Sequence, residues 1–383
     1  MGAGDSKKRG GKLALVGLGV LVVVVVLELT LDTILPDSSI RALLMLAACN
    51  VLVALSLNVI NGMAGQFSIG HAGFMGIGGY ASAVMSAHMH QALGGGTPTF
   101  AKSFVVVPAC LVASAGLAGL FGLLVGLPSL RLKGDYLAIV TLGFAEIFRL
   151  VIATAQADSG GKTGLFASIQ GAISSLGGQN GYQGIANAGV PLYAGPFWVF
   201  GLTFVLGVVA WRIKFSGWGR ALRALREDEI AAAAVGVDPT NYKVTSFVIS
   251  AMGAGIAGSL MAISRDSIGS VNPDGYGFQT SFDAITMVIL GGSGSVTGSA
   301  IGGVFITFSI KAIELLQRTS VVEDLKRAHE GLDLNALRMI IYAVVLVVLM
   351  ILRPEGLLGE RELFKKKKRA PAAKPPSAKP VEA

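Results

Sequence analysis

Apolar residues fall along this chain in long blocks parted by short polar breaks, at about 13–31, 42–60, 66–88, 104–127, 135–154, 193–213, 244–262, 278–293, 299–316 and 338–352. A bilayer core takes about 20 mostly apolar residues per helix. Backbone polar groups have no partner in lipid, so a span must satisfy them internally as a helix. The pattern therefore predicts an all-α integral membrane protein, a polytopic transmembrane helix bundle of eight to ten spans, with ten preferred. Two blocks are irregular. The third is interrupted by Gly65, Gly70, Gly73, Gly76, Gly78 and Gly79, and the eighth is short and runs into Gly291-Gly292-Ser293-Gly294.

Composition supports the same class. Charged residues are 14% of the chain and hydrophobic ones 52%, against roughly 25% charged in soluble domains. So few charges cannot cover a soluble surface, and so apolar a chain is not disordered in bulk. The two Cys sit in apolar stretches and make no disulfide framework. Of the net charge of +8, residues 1–12 carry +3 and residues 353–383 carry +5, which leaves the middle neutral. Basic character confined to the ends suits anchoring at a bilayer and not a nucleic-acid groove. Lys7, Lys8, Arg9 and Lys12 imitate the start of a signal peptide. The apolar block behind them is too long for one and no A-x-A site follows, so it is expected to stay as an anchor.

Lys and Arg in short loops set orientation. The stretch 212–243 holds Arg212, Lys214, Arg220, Arg223, Arg226 and Lys243, the loop 128–134 holds Arg131 and Lys133, and 155–192 holds only Lys162. Alternation through ten spans puts the basic stretches and both termini in the cytoplasm and 155–192 outside. The stretch 317–337, with Arg318, Lys326 and Arg327, falls outside against the rule. The expected layout is a basic cytoplasmic N-terminus at 1–12 and a membrane domain at 13–360. The domain carries an external loop at 155–192 and a cytoplasmic loop at 214–243. A disordered Lys/Pro/Ala tail follows at 361–383.

No catalytic set emerges. There are four His, and neither a C-x-x-C nor an H-E-x-x-H pattern, so no metal or other cofactor is expected. Gly160-Gly161-Lys162-Thr163 imitates the end of a phosphate loop, but Gln156 stands where its first glycine belongs. Gly292–Gly298 echoes a dinucleotide loop without the strands one needs, and reads as a turn between membrane helices. The glycines of 62–79 allow two readings: close helix packing, or a broken helix lining a solute path. On the second, Gln66, Ser68 and His71 are polar contacts along the path. Ionisable groups inside spans are costly, ~2.5–3.5 kcal/mol on insertion scales. Glu28 lies near the outer end of the first span and is expected to reach the interface. Glu146 and Arg149, three apart on one helix face, either pair or flank a path that Thr141 and Asn58 also line. Asn50 and Asn58, eight apart, share a face of the second span.

The stretch 216–243, SGWGRALRALREDEIAAAAVGVDPTNYK, is different in kind. Gly219–Ala234 is rich in helix formers, too charged for the bilayer, and stopped by Gly236 and Pro239. Arg223 and Glu227 are spaced to pair. It is either an interfacial helix with snorkelling arginines or a docking helix for a cytosolic partner.

Over residues 40–360 the chain resembles the permeases of branched-chain amino acid ABC importers, in their LivM-like branch. The resemblance is carried by LNVINGMAGQFSIGHAGFMGIGG from Leu57, KGDYLAIVTLGFAEIFRL from Lys133, Gly219–Ala262, MVILGGSGSVTG from Met287, and RPEGLLG from Arg353. It implies a subunit in the bacterial inner membrane with four kinds of partner: a second, LivH-like permease, two cytosolic ATP-binding subunits, a periplasmic solute-binding protein and the lipid bilayer. It also makes 214–243 a coupling loop, with Arg223, Arg226, Glu227, Asp228, Glu229, Ala232, Ala233 and Gly236 in contact with the ATPase. Glu229–Gly236 is similar to the EAA signature of importer permeases. The expected function is import of Leu, Ile and Val, with ATP hydrolysed on another subunit and no enzyme activity in this chain. The rivals are the same machine for urea, short amides or other amino acids, and an ion-coupled secondary transporter, which needs carboxylates near the midplane.

Overall fold

The computed structural model describes residues 19, 22–31, 33–129, 136–155, 171, 173–267, 269–317, 344, 347, 348, 351, 356–359 and 361–363. The N-terminal basic residues, Arg131 and Lys133, the phosphate-loop imitation at Gly160, the stretch 318–337, most of the tenth expected span and the tail from 364 lie outside the described residues.

The described chain is helical apart from turns and two isolated β-bridges, Tyr182 with Val271 and Ala194 with Ser264. The helices are α1 (Val22–Leu31), α2 (Ser38–Asn58), α3 (His71–Ala92), α4 (Phe100–Ser129), α5 (Tyr136–Ala153), α6 (Pro196–Phe215), α7 (Gly217–Glu227), α8 (Glu229–Ala234), α9 (Pro239–Ile263), α10 (Phe278–Gly291) and α11 (Val296–Gln317). Five are long and apolar enough to cross a membrane: α2 with its following turn, α4, α5, α6 and α9. The 26 residues Ser38–Met63 rise about 39 Å at ~1.5 Å each, more than a hydrocarbon core of about 30 Å. The irregular third and eighth blocks are helices with displaced ends. The third begins at His71 and not at 66, and the eighth is the 14-residue α10.

Local chemistry sets the ends. Asp37 accepts from the Ser39 N–H at 2.8 Å to start α2, and Asp238 accepts from the amides of Thr240 and Asn241 to start α9, with Pro239 in its first turn. Glu28, expected to reach the interface, is held by protein partners. Its side chain is 7% exposed, paired with Arg265 at 2.7 Å, and its other oxygen accepts the Phe197 N–H at 2.9 Å. A carboxylate is favoured there because the first amides of α6 have no intrahelical partner.

Helices α2 and α9 form the centre, 78% and 72% buried over their apolar windows, whereas α4, α5 and α6 are 33%, 28% and 17% buried and face outward. Glycine permits the inner crossings. A methyl on Gly78 would overlap the Gly255 carbonyl, and one on Gly258 would overlap the Met75 carbonyl, so α3 and α9 meet backbone to backbone. The hydroxyls of Ser82 and Ser114 (2.8 Å) and of Ser82 and Ser259 (2.5 Å) join α3, α4 and α9 at the same crossing. In the glycine-rich stretch, close packing and a broken helix therefore occur together. Helix α2 ends in a π-turn, Val59–Met63, and residues 64–70 are not helical.

Candidate functional site

The loops gather in two sets, at opposite ends of the central helices. At the basic end, the end of α2, the α6–α9 connection, the α10–α11 turn and residues 356–359 and 361–363 meet. Asn58, fully buried, donates to the Ser295 carbonyl at 3.1 Å and accepts the Gly294 N–H at 2.8 Å. Asn50, two turns earlier on that face, donates to Thr307 Oγ1 at 2.8 Å. The two asparagines thus clamp α2 to α11, and Asn58 has both functions of its amide occupied by backbone.

Gly65 has φ +69 and lies directly under the Arg226 side chain, a conformation and a clearance that only glycine supplies. Arg226 Nη1 donates to the Gly62 carbonyl at 2.7 Å. The guanidinium of α7 is therefore bolted to the π-turn where α2 unwinds. Beyond it, Asn61 and Ser68 bridge the non-helical segment, with Asn61 Oδ1 accepting the Ser68 N–H at 3.2 Å. Thr141 Oγ1 accepts the Ile69 N–H at 3.2 Å, and Ser56 Oγ contacts His71 Nε2 at 2.8 Å. Gln66 is buried, and its Oε1 has no hydrogen-bond partner among the described residues.

The expected single helix over Gly219–Ala234 is two. Asp228, extended at φ −154 and ψ 113, ends α7 and caps α8, accepting from the amides of Ile230 (2.9 Å) and Ala231 (3.0 Å). Gly236, at φ +91, closes α8: its N–H bonds to the Ala233 carbonyl at 3.0 Å and the Val237 N–H to that of Ala232 at 3.1 Å, a Schellman ending. Arg223 does not pair with Glu227. It donates to the carbonyls of Gly219 and Lys214, while Glu227 meets Arg226 Nη2 at 3.3 Å. Glu229 pairs with Lys243. Ala232 is 3% exposed and faces inward, whereas Ala233 is exposed. Two apolar side chains face out instead: Ile230 at 83% and Val235 at 80% exposed.

Glu362, in the stretch expected to be a disordered tail, belongs to the site. The described residues 361–363 pack against the α10–α11 turn. Glu362 accepts from Lys214 Nζ, from the amides of Val296 (2.8 Å) and Thr297 (3.0 Å), and from Thr297 Oγ1 (2.6 Å). The paired side chains are 4% and 2% exposed. Burial alone would raise the Glu362 carboxyl, but the bonds from Lys214, Thr297 and Val296 outweigh it and hold the group below its ordinary value.

At the opposite end, Glu146 and Arg149 are paired at 2.8 Å. The pair is extended: Arg149 Nη1 reaches Asp274 at 3.1 Å, and Glu146 Oε1 accepts the Phe278 N–H at 3.0 Å, capping α10. Arg41 faces Asp266 at 3.6 Å. Among the described residues no group of three His, Cys, Asp or Glu could hold a metal ion.

The family described as branched-chain amino acid transport system / permease component matches residues 39–350. The chain belongs to that family. Among its relatives, the high-affinity branched-chain amino acid transport system permease protein LivM of Salmonella typhimurium is 31% identical over 320 residues, covering 80% of this chain and 67% of its own. The probable LivM of Methanocaldococcus jannaschii is 28% identical over 339 residues, 82% of this chain and 91% of its own. The permease protein LivH of Escherichia coli (strain K12) is 31% identical over 153 residues, 40% and 43%. No solved structure matches the chain. The permease is thus a multi-pass membrane protein of a transport family. Of the residues expected along its path, Asn58, Ser68, His71 and Thr141 hydrogen-bond around the broken stretch, Glu146 ties α5 to the start of α10, and Arg149 ties it to Asp274 just before α10.

Proposed function

We propose that this permease is the membrane subunit of an ATP-driven importer that carries leucine, isoleucine and valine across the bacterial inner membrane. ATP is hydrolysed on two cytosolic subunits, a second, LivH-like permease completes the membrane part, and a periplasmic binding protein delivers the solute. Residues 214–243 are the cytoplasmic coupling loop, both termini lie on that side, and 155–192 faces the periplasm. One observation carries the reading. A two-helix loop presents Ile230 and Val235 to solvent beside Glu227, Asp228 and Glu229, and its Arg226 is bonded to the turn that ends the central helix α2. Exposed apolar side chains within a charged surface suit a protein partner. A pull on α7 and α8 then reaches the unwound segment 64–70 through Arg226, and energy comes from the partner's different affinity for two states of the bundle. Ala233 and Gly236 sit in the contact, while Arg223 and Ala232 brace it from within.

The test is co-purification with the neighbouring subunits and ATPase activity stimulated by leucine-loaded binding protein. Ile230→Asp with Val235→Asp should leave membrane insertion intact and reduce stimulation at least tenfold. Full stimulation in that double variant refutes the coupling role.

A further inference from the structure

Between the first half of α2 and the segment joining α9 to α10 lies a cavity of about 410 Å3, at the end opposite the coupling loop. Its size falls among small-molecule sites, roughly 300–1,000 Å3. Met45, Leu46, Met261 and Val271 give it an apolar wall, and Ser264 and Asp266 supply polar groups. Both polar groups keep hydrogen-bonding capacity unused among the described residues. Ser264 is 5% exposed, and its Oγ is buried without a hydrogen-bond partner among the described residues. Asp266 has a side chain 14% exposed and accepts no hydrogen bond from the described residues. Its contact with Arg41 Nε, at 3.6 Å, is longer than a hydrogen bond. The withdrawn hydroxyl is costly until a partner completes it, and Asp266, ion-paired with Arg41 without a hydrogen bond, keeps its acceptor positions open.

A primary ammonium group is the donor that fits. It is compact, cationic and carries three N–H bonds, enough for a carboxylate and a hydroxyl that line the same cavity. The apolar wall beside them asks for an aliphatic group on the same small molecule. The hydroxyls of Ser267 and Ser270, which also line the cavity, offer donors to a carboxylate. We propose that this cavity receives one zwitterionic amino acid with an aliphatic side chain, its ammonium on Asp266 and Ser264 and its side chain against Met45, Leu46, Met261 and Val271. The assignment rests on the importer reading and deepens it by placing the solute within this chain.

The experiment uses the full complex without binding protein, in detergent, and follows L-leucine binding by its shift of the thermal midpoint. 4-Methylpentanoate, which lacks the ammonium, and glycine, which lacks the side chain, are comparators. Leucine should bind and the comparators should not. Asp266→Asn should lower leucine affinity at least tenfold, the loss of a charged hydrogen bond. Ser264→Ala should lower it about fivefold while leaving the leucine-free midpoint unchanged or higher, because it removes an unpaired buried hydroxyl. A merely structural role for Ser264 predicts no affinity change. Leucine affinity unaltered by both substitutions, equal binding of 4-methylpentanoate, or no leucine binding by the unaltered complex overturns the site. A complex that fails to import any branched-chain amino acid overturns the importer reading instead.

Discussion

At the scale of single residues, polar groups in this bundle act mainly by holding backbone. Lys214 and Glu362 are the most consequential. Breaking a buried pair by removing one partner costs about 3–5 kcal/mol, whereas replacing both can be neutral. Glu362→Gln alone should therefore lower the thermal midpoint in detergent more than Glu362→Gln with Lys214→Met. A double variant less stable than either single one contradicts that. The pH dependence has a definite sign. A carboxyl held below its ordinary value, 4.5, stabilises the fold fully above that pH and loses its contribution as pH falls through the lower, folded value. Glu362→Gln should flatten this part of the acid limb and leave the neutral plateau without slope. None of this was legible in the sequence, where Glu362 sits six residues past Gly356 in a run that turns basic at Lys365. Its partners are 65 to 148 positions away, and no local pattern encodes such a separation. Asn50 and Asn58 were half legible. Their spacing puts them on one face, but what that face meets, Thr307 and Gly294, is again distant in sequence.

At the scale of elements, apolar length alone located the helices that cross the bundle, with ends displaced by a few residues. The broken element was harder to read. Gly219–Ala234 has good helix propensity throughout, yet the chain breaks at Asp228, because an aspartate side chain competes with the helical backbone for amides. The signal was present as an N-cap residue just before Glu229-Ile230-Ala231, but propensity summed over the stretch masked it. The break orients the exposed Ile230. Asp228→Ala removes the two cap bonds, a loss of ~1 kcal/mol concentrated on the six-residue α8. Stimulated ATPase activity should fall several-fold while the global melting point barely moves, and Asp228→Asn, which keeps the cap, should restore it. Failure of the asparagine variant to restore coupling makes the charge, and not the cap, the operative feature.

At the scale of the whole molecule, alternation of loops across the ten expected spans makes a statement about space. The segments near residues 60, 220, 295 and 360 belong on one side and those near 30, 150, 190 and 270 on the other. The bonds obey it: Arg226 with Gly62, Asn58 with Gly294 and Lys214 with Glu362 hold the first set together. Arg265 with Glu28, Arg149 with Asp274 and the Tyr182–Val271 bridge hold the second. We propose from the basic residues that the first set faces the cytoplasm, and this can be measured without altering the background, because both native cysteines, Cys49 and Cys110, are buried. Ile230→Cys and Asn272→Cys each place a thiol at an exposed position, one in each set. In intact cells a membrane-impermeant maleimide should modify Asn272→Cys and spare Ile230→Cys, and in inverted vesicles of cells that lack the ATPase subunits the preference should reverse. Labelling of Ile230→Cys in intact cells would turn the coupling loop away from any cytosolic ATPase and end the importer mechanism. Labelling of both from the same side would break the alternation itself, against the bonds that keep the two loop sets apart.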